Sequence, residues 1–144
     1  RNDKYKKLIV STERHRIKNK VSFIKNCRDM PSAYKLANVV VSSSIEPEAF
    51  GRVAVEAQAM EKPIIASNIG GSKETILNEK SGVLFKSEDS KNLAKELNKF
   101  MEQDKEELNL MGKEGRKNVS KKFNVDQMCQ TTFTEYMKLL KKIK

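Results

Sequence analysis

The chain has no tryptophan, a single histidine and only two cysteines in 144 residues. One histidine, with Cys27 and Cys129 far apart, leaves no His/Cys set at metal-ligand spacing. A zinc site is therefore not expected, and the thiols read as reduced, in a cytoplasmic setting. Long apolar runs are missing too. Nothing approaches the roughly 20 residues of a membrane span, and the opening "RNDKYKKLIV" lacks the apolar core of a signal peptide. Aromatic residues make up 6% of the chain and none interleaves with the basic residues as a stacking motif, which argues against specific nucleic-acid recognition. Acidic charge is also scarce, with 19 Asp and Glu against 29 Lys and Arg and a formal net charge of +10. Much of the excess lies in residues 1–30, where ten cationic side chains face three acids. Such a face suits anionic lipid headgroups, a phosphorylated substrate or, less well, nucleic acid, and a plain solvated surface is the simplest reading.

What is present alternates. "KYKKLIVSTERHRIK" has helical spacing, with Tyr5, Leu8 and Ile9 as its apolar side. "KVSFIKN" reads as a short strand with Val21 and Phe23 on one face, and "SAYKLA" as a brief helix. The run Val39-Val40-Val41 has no polar alternation, as expected of a strand buried on both faces. "GRVAVEAQAM" is then a helix, "PIIAS" a second buried strand, "SKETIL" a short helix and "GVLF" the last strand. From Asp89 onward the pattern is helical to the end. Strand and helix in turn predict an α/β fold, a Rossmann-like parallel sheet with helices on both faces and a helical C-terminal end.

In such a fold ligands bind where strands end and helices begin. The stretch "SSSIEPEAFGRVAVE" sits at that place. Pro47 and Gly51 break regular structure, so the helix starts near Gly51 with amides that lack internal partners and a dipole that favours an anion. A diphosphate suits those amides. Glu48 and Glu56, acceptors only, suit sugar hydroxyls. Blander readings stand beside these. Glu56 could pair with Arg52 one turn earlier, Glu48 could be an ordinary loop acid, and Gly70-Gly71 could be a turn and a cap.

The string "EPEAFGRVAVEAQAMEKPIIASNIGGSKETI" resembles the donor-binding half of family 4 glycosyltransferases, retaining enzymes of the GT-B fold. Glu48 and Glu56, with seven residues between them, match that family's paired glutamates, and Phe50-Gly51, Pro63, Gly70-Gly71 and Glu74 fall where the family repeats them. The resemblance runs from about Tyr5 through "FNVDQM" to the C-terminus, so residues 1–144 read as one donor-binding domain. It implies that Glu48 holds hydroxyls of the donor hexose and Glu56 the ribose. The amides of Phe50, Gly51, Arg52 and Val53 would face sugar and diphosphate, and Cys27 would border the base. It implies hexose transfer from a nucleoside-diphosphate sugar to a cell-surface sugar or lipid-linked acceptor, as in lipopolysaccharide synthesis, with no cofactor and no metal. Such work belongs in the cytoplasm, peripheral to the inner face of the membrane.

The family's opening strand, with its Gly-Arg pair and following Lys, has no counterpart here, nor has the acceptor domain. The resemblance therefore implies an N-terminally incomplete domain, inactive by itself, with strand edges left open between "VSFIKN" and "VVVSS". A non-catalytic remnant or partner subunit, or a basic polyanion-binding module, are the alternative readings.

Overall fold

The computed structural model describes residues 2–142. Two compact units divide the chain, residues 1–30 and residues 31–144.

The first unit is a helix and an irregular tail. Helix α1 covers Asn2–Arg14 and a single 3-10 turn covers Lys18–Lys20. The inner side of α1 runs through Tyr5, Ile9 and buried Thr12, at helical spacing; Leu8 is 56% exposed and does not belong to it. Val21 and Phe23 turn inward together, and the Phe23 ring meets Tyr5 edge-on at 5.3 Å. The stretch "KVSFIKN" is nevertheless not a strand. Its alternation is genuine, but a strand exists only as part of a ladder, and no described strand pairs with it.

The second unit is a three-stranded parallel sheet between helices. Its elements are α2 (Met30–Leu36, which begins at the boundary), β1 (Val40–Ser42), α3 (Arg52–Ala59), β2 (Ile64–Ser67), α4 (Ser72–Thr75) and β3 (Gly82–Phe85). Three helices follow, α5 (Ser90–Glu102), α6 (Lys105–Lys122) and α7 (Val125–Lys142). The strands lie in chain order, with Val40 opposite Ile64 and Ile65 opposite Val83.

The period of two sorts the strand side chains onto two cores. On one face Ile64 and Ala66 pack with Ala54 and Ala57 of α3 and Tyr34 of α2. On the other, Ile65, Val83 and Phe85 pack with Phe100 of α5, and with Leu108 and Met111 of α6. Every residue of β2 is buried, as befits the central strand. The expectation of two-sided burial fails at β1, where Val41 is 39% exposed. Being the edge strand, β1 has a neighbour on one side only, and its outward residue has less to pack against.

Helix α3, which carries the site, is held from behind by a polar strut. The fully buried Gln58 donates from Nε2 to the carbonyls of Ala54 and Thr75, each at 3.0 Å, and Asn118 of α6 donates to the same Thr75 oxygen at 3.1 Å. Each bond satisfies a carbonyl that water cannot reach. Among the described residues no helix is long and apolar enough to cross a membrane.

Candidate functional site

The site forms at the carboxyl ends of the strands, where the chain leaves β1 and enters α3. Pro47 and Gly51 keep the intervening loop irregular, and Gly51 caps the helix in the left-handed region at φ 75° and ψ 55°. An L side chain rarely adopts that conformation, so a glycine is what lets the chain turn into the helix here. No side chain caps the amino end of α3, and the amides of Arg52 and Val53 have no acceptor earlier in the helix. The side chain of Val53 packs on the core, so only its amide is available to a ligand.

The loop is clamped from two sides. The Gly71 amide donates to the Glu48 carbonyl at 2.8 Å, and the glycine pair Gly70-Gly71 lies so close that a methyl on either would strike the backbone of Pro47, Glu48 or Phe50. Across the loop the Phe50 ring meets Phe123, at the end of α6, edge-on at 5.5 Å and 80°. An open groove of about 410 Å³ runs beside this pair, over Val125 and Met128. A cavity of about 600 Å³ lies elsewhere, at the amino ends of β1 and β2 around Val39, Pro63 and Phe100, and takes no part in the site.

The two glutamates have separate partners. Glu48 is exposed and accepts from the Ser44 hydroxyl at 2.6 Å, which fixes one oxygen and leaves the carboxylate facing solvent. Glu56 is half-buried and held at both oxygens. Oε1 accepts from Arg52 Nε at 3.2 Å and Nη2 at 2.9 Å, and Oε2 accepts from the Tyr34 hydroxyl at 3.0 Å. The helix pair anticipated between Arg52 and Glu56 is thus present, in the weaker of its two orientations and mostly exposed, which limits it to about 0.5 kcal/mol. Tyr34 escaped the sequence reading. It lies 22 residues from Glu56 on another helix, and no local pattern joins the two. Burial first, then the hydrogen bond to Glu56, pushes its hydroxyl up to about 12.

Cys27 belongs to the first unit, where its exposed thiol lies 3.3 Å from the Asp29 carbonyl. Phe50, Gly51, Arg52 and Val53 are contiguous at the amino end of α3, with Glu48 before them and Glu56 one turn on. The arrangement combines free amides for an anion with two carboxylates for hydroxyl donors.

Residues 1–118 match the family described as "Glycosyl transferases group 1". The capsular polysaccharide biosynthesis glycosyltransferase CapM of Staphylococcus aureus is 33% identical over 121 residues, which are 84% of this chain and 31% of CapM. The crystal structure of a glycosyltransferase from Rickettsia africae ESF-5 superposes with a TM-score of 0.85 at 30% identity, over 97% of this chain and 36% of that one. Anabaena Alr3699/HepE, solved in complex with UDP, superposes with a TM-score of 0.89 at 28% identity, over 95% of this chain and 37% of its own, and it has also been solved with UDP-glucose. The chain spans about a third of the length of the relatives it matches.

Proposed function

Because the chain belongs to the group 1 glycosyl transferases, we propose that it supplies the donor-binding side of an enzyme that transfers a hexose from a nucleoside-diphosphate sugar. The acceptor in this reading is a sugar or lipid-linked glycan of the cell surface, and the anomeric configuration is retained, as in family 4. The observation that carries the reading is the amino end of α3, uncapped by any side chain and entered through a left-handed glycine, between Glu48 and Glu56. HepE bound to UDP and to UDP-glucose, on the same fold, supports it.

The division of labour follows from chemistry. The amides from Phe50 to Val53 receive the diphosphate, and their fixed dipoles favour the charge that grows as the nucleotide departs. That work falls to amides and cationic side chains rather than to a metal ion. Glu56 accepts from the ribose hydroxyls and Glu48 from those of the hexose. Transfer also needs an acceptor-binding part closed over the donor, so the chain alone binds donor without turning it over.

The test is an amide-resolved NMR titration of the purified protein with UDP-, GDP- and ADP-hexoses. The amides of Gly51, Arg52 and Val53 should shift with one of them, and Glu56→Gln should weaken that binding by about 1–3 kcal/mol, the range for a hydrogen bond to a charged group. No response at these amides to any donor at millimolar concentration would overturn the reading. Salt-sensitive binding of a nonspecific polyanion in its place would point to a basic binding module.

A further inference from the structure

The partners of Glu56 differ in kind. Tyr34 is 6% exposed, part of the core formed with Ala54, Ala57 and Ile64. A hydroxyl at that depth must be satisfied, and it reaches Glu56 Oε2 as its acceptor. Arg52, on the other oxygen, is 83% exposed along its side chain and free to leave at little cost. One oxygen is thus anchored from the core, while the other is covered only by a flexible surface cation.

We propose that Tyr34 is a positioning residue of the donor site. It pins Oε2 and thereby sets the rotation of the Glu56 carboxylate, so that Oε1 is the oxygen presented to a vicinal diol. Arg52 is its removable cover. This rests on the reading of Glu56 as the ribose-binding carboxylate. On binding, the diol donates to Oε1 and the guanidinium swings from the carboxylate toward the diphosphate, so the carboxylate keeps hydrogen-bond donors on both oxygens while the cation gains a new anion. With its pKa pushed up to about 12, chiefly by burial, the Tyr34 hydroxyl keeps its proton and remains a donor throughout the physiological range. A carboxylate held at one oxygen only by solvent would rotate among several orientations, and the order needed for binding would then be lost from the affinity.

Tyr34 could instead merely complete the core, in which case its hydroxyl would matter equally with or without Glu56. A double-mutant cycle separates the two. UDP is titrated against the wild type, Tyr34→Phe, Glu56→Ala and the double variant, with the amide spectrum reporting both fold and affinity. Tyr34→Phe keeps the ring and its packing. It should bind UDP about tenfold more weakly, the cost of ordering on binding a carboxylate that is no longer pinned. Glu56→Ala should lose at least as much, and the double variant should match Glu56→Ala within about twofold. The Arg52 Nε–H resonance should also move as UDP is added to the wild type. Unchanged affinity in Tyr34→Phe, or the same fractional loss in both backgrounds, overturns the positioning role while leaving the donor site standing. A wild type whose Gly51–Val53 amides ignore UDP and every nucleotide sugar overturns the donor reading, and the role of Tyr34 with it.

Discussion

Replacing Gly71 with alanine drives a methyl group into the backbone of Phe50. The added carbon would lie 2.5 Å from the Phe50 carbonyl carbon and 2.7 Å from its Cα. Non-bonded carbons rest at about 3.5–4.0 Å, so roughly 1 Å of separation has to be found. A side chain could swing aside, but here the obstacle is main chain. Gly71 itself sits at φ −62° and ψ −17°, which alanine tolerates, so the strain falls on the loop. Overpacking of this kind costs about 1–3 kcal/mol. In a chain of this size that lowers the melting temperature by roughly 3–10 °C. The local effect is larger than the global one. A displacement of about 1 Å in a positioning element can cost on the order of a hundredfold, and the displaced loop carries Glu48 and leads into the Gly51–Val53 amides. We expect Gly71→Ala to reduce nucleotide affinity at least about tenfold on those grounds. The assay pairs thermal melts with the NMR titration, and uses Gly112→Ala as a control. There the new methyl would strike the Glu61 carbonyl, on the turn after α3 and away from the loop. Helix propensity favours that alanine by about 1 kcal/mol while the contact opposes it more strongly. Both variants should melt earlier, and only Gly71→Ala should lose affinity. Wild-type affinity in Gly71→Ala, or an equal loss in Gly112→Ala, would refute the idea of a locally clamped loop.

Arg52→Ala should weaken donor binding, with the difference shrinking as salt rises, because an exposed cation acting on a diphosphate is screened; a loss that ignores salt, or none, would confine Arg52 to its pairing with Glu56. The folded chain holds the Tyr34 proton more tightly than the unfolded chain does, with the hydroxyl raised from its ordinary 10.0 to about 12. The resulting stability is complete below pH 10 and drains away as pH climbs through about 12, so the stability gap between wild type and Tyr34→Phe should close over that window in denaturant titrations. A gap that stays constant across it would show that the hydroxyl does not titrate with folding.

The elements from β1 to β3 are legible in the sequence because each signal is local. β-Branched runs, the Pro47 and Gly51 breaks and the small residues of α3 all lie within a few positions of the structure they dictate. Glu48, Glu56 and the amino end of α3 were singled out as candidates from such local signals and from the family resemblance, and the fold places them next to one another in the chain's turn from β1 into α3. "KVSFIKN" shows the limit, since inward Val21 and Phe23 carry the alternation of a strand but the pairing that makes one is non-local. Val41 looked as buried as Val40 because an unbroken valine run says nothing of which strand lies at the edge. The contacts of Tyr34 and Phe123 with the site were invisible for the same reason. Each acts on the site from a distant segment, and only the fold sets Tyr34 beside Glu56 and Phe123 beside Phe50.

The Phe50–Phe123 contact has a mechanical side. Phe123 closes α6 just before α7, an 18-residue helix none of whose residues is buried. At 1.5 Å per residue α7 is about 27 Å long, so a rotation of α7 that carried Phe123 with it would set a long arm against a short one, the 5.5 Å to Phe50. A tip displacement of about 5 Å turns such a rod through roughly ten degrees, and the same rotation carries the short arm about 1 Å. That attenuation brings a coarse movement into the range where loop geometry matters. An anchor or tag fixed to the far end of α7 would therefore register in donor affinity, and affinities measured with the tag placed at either terminus would reveal the leverage.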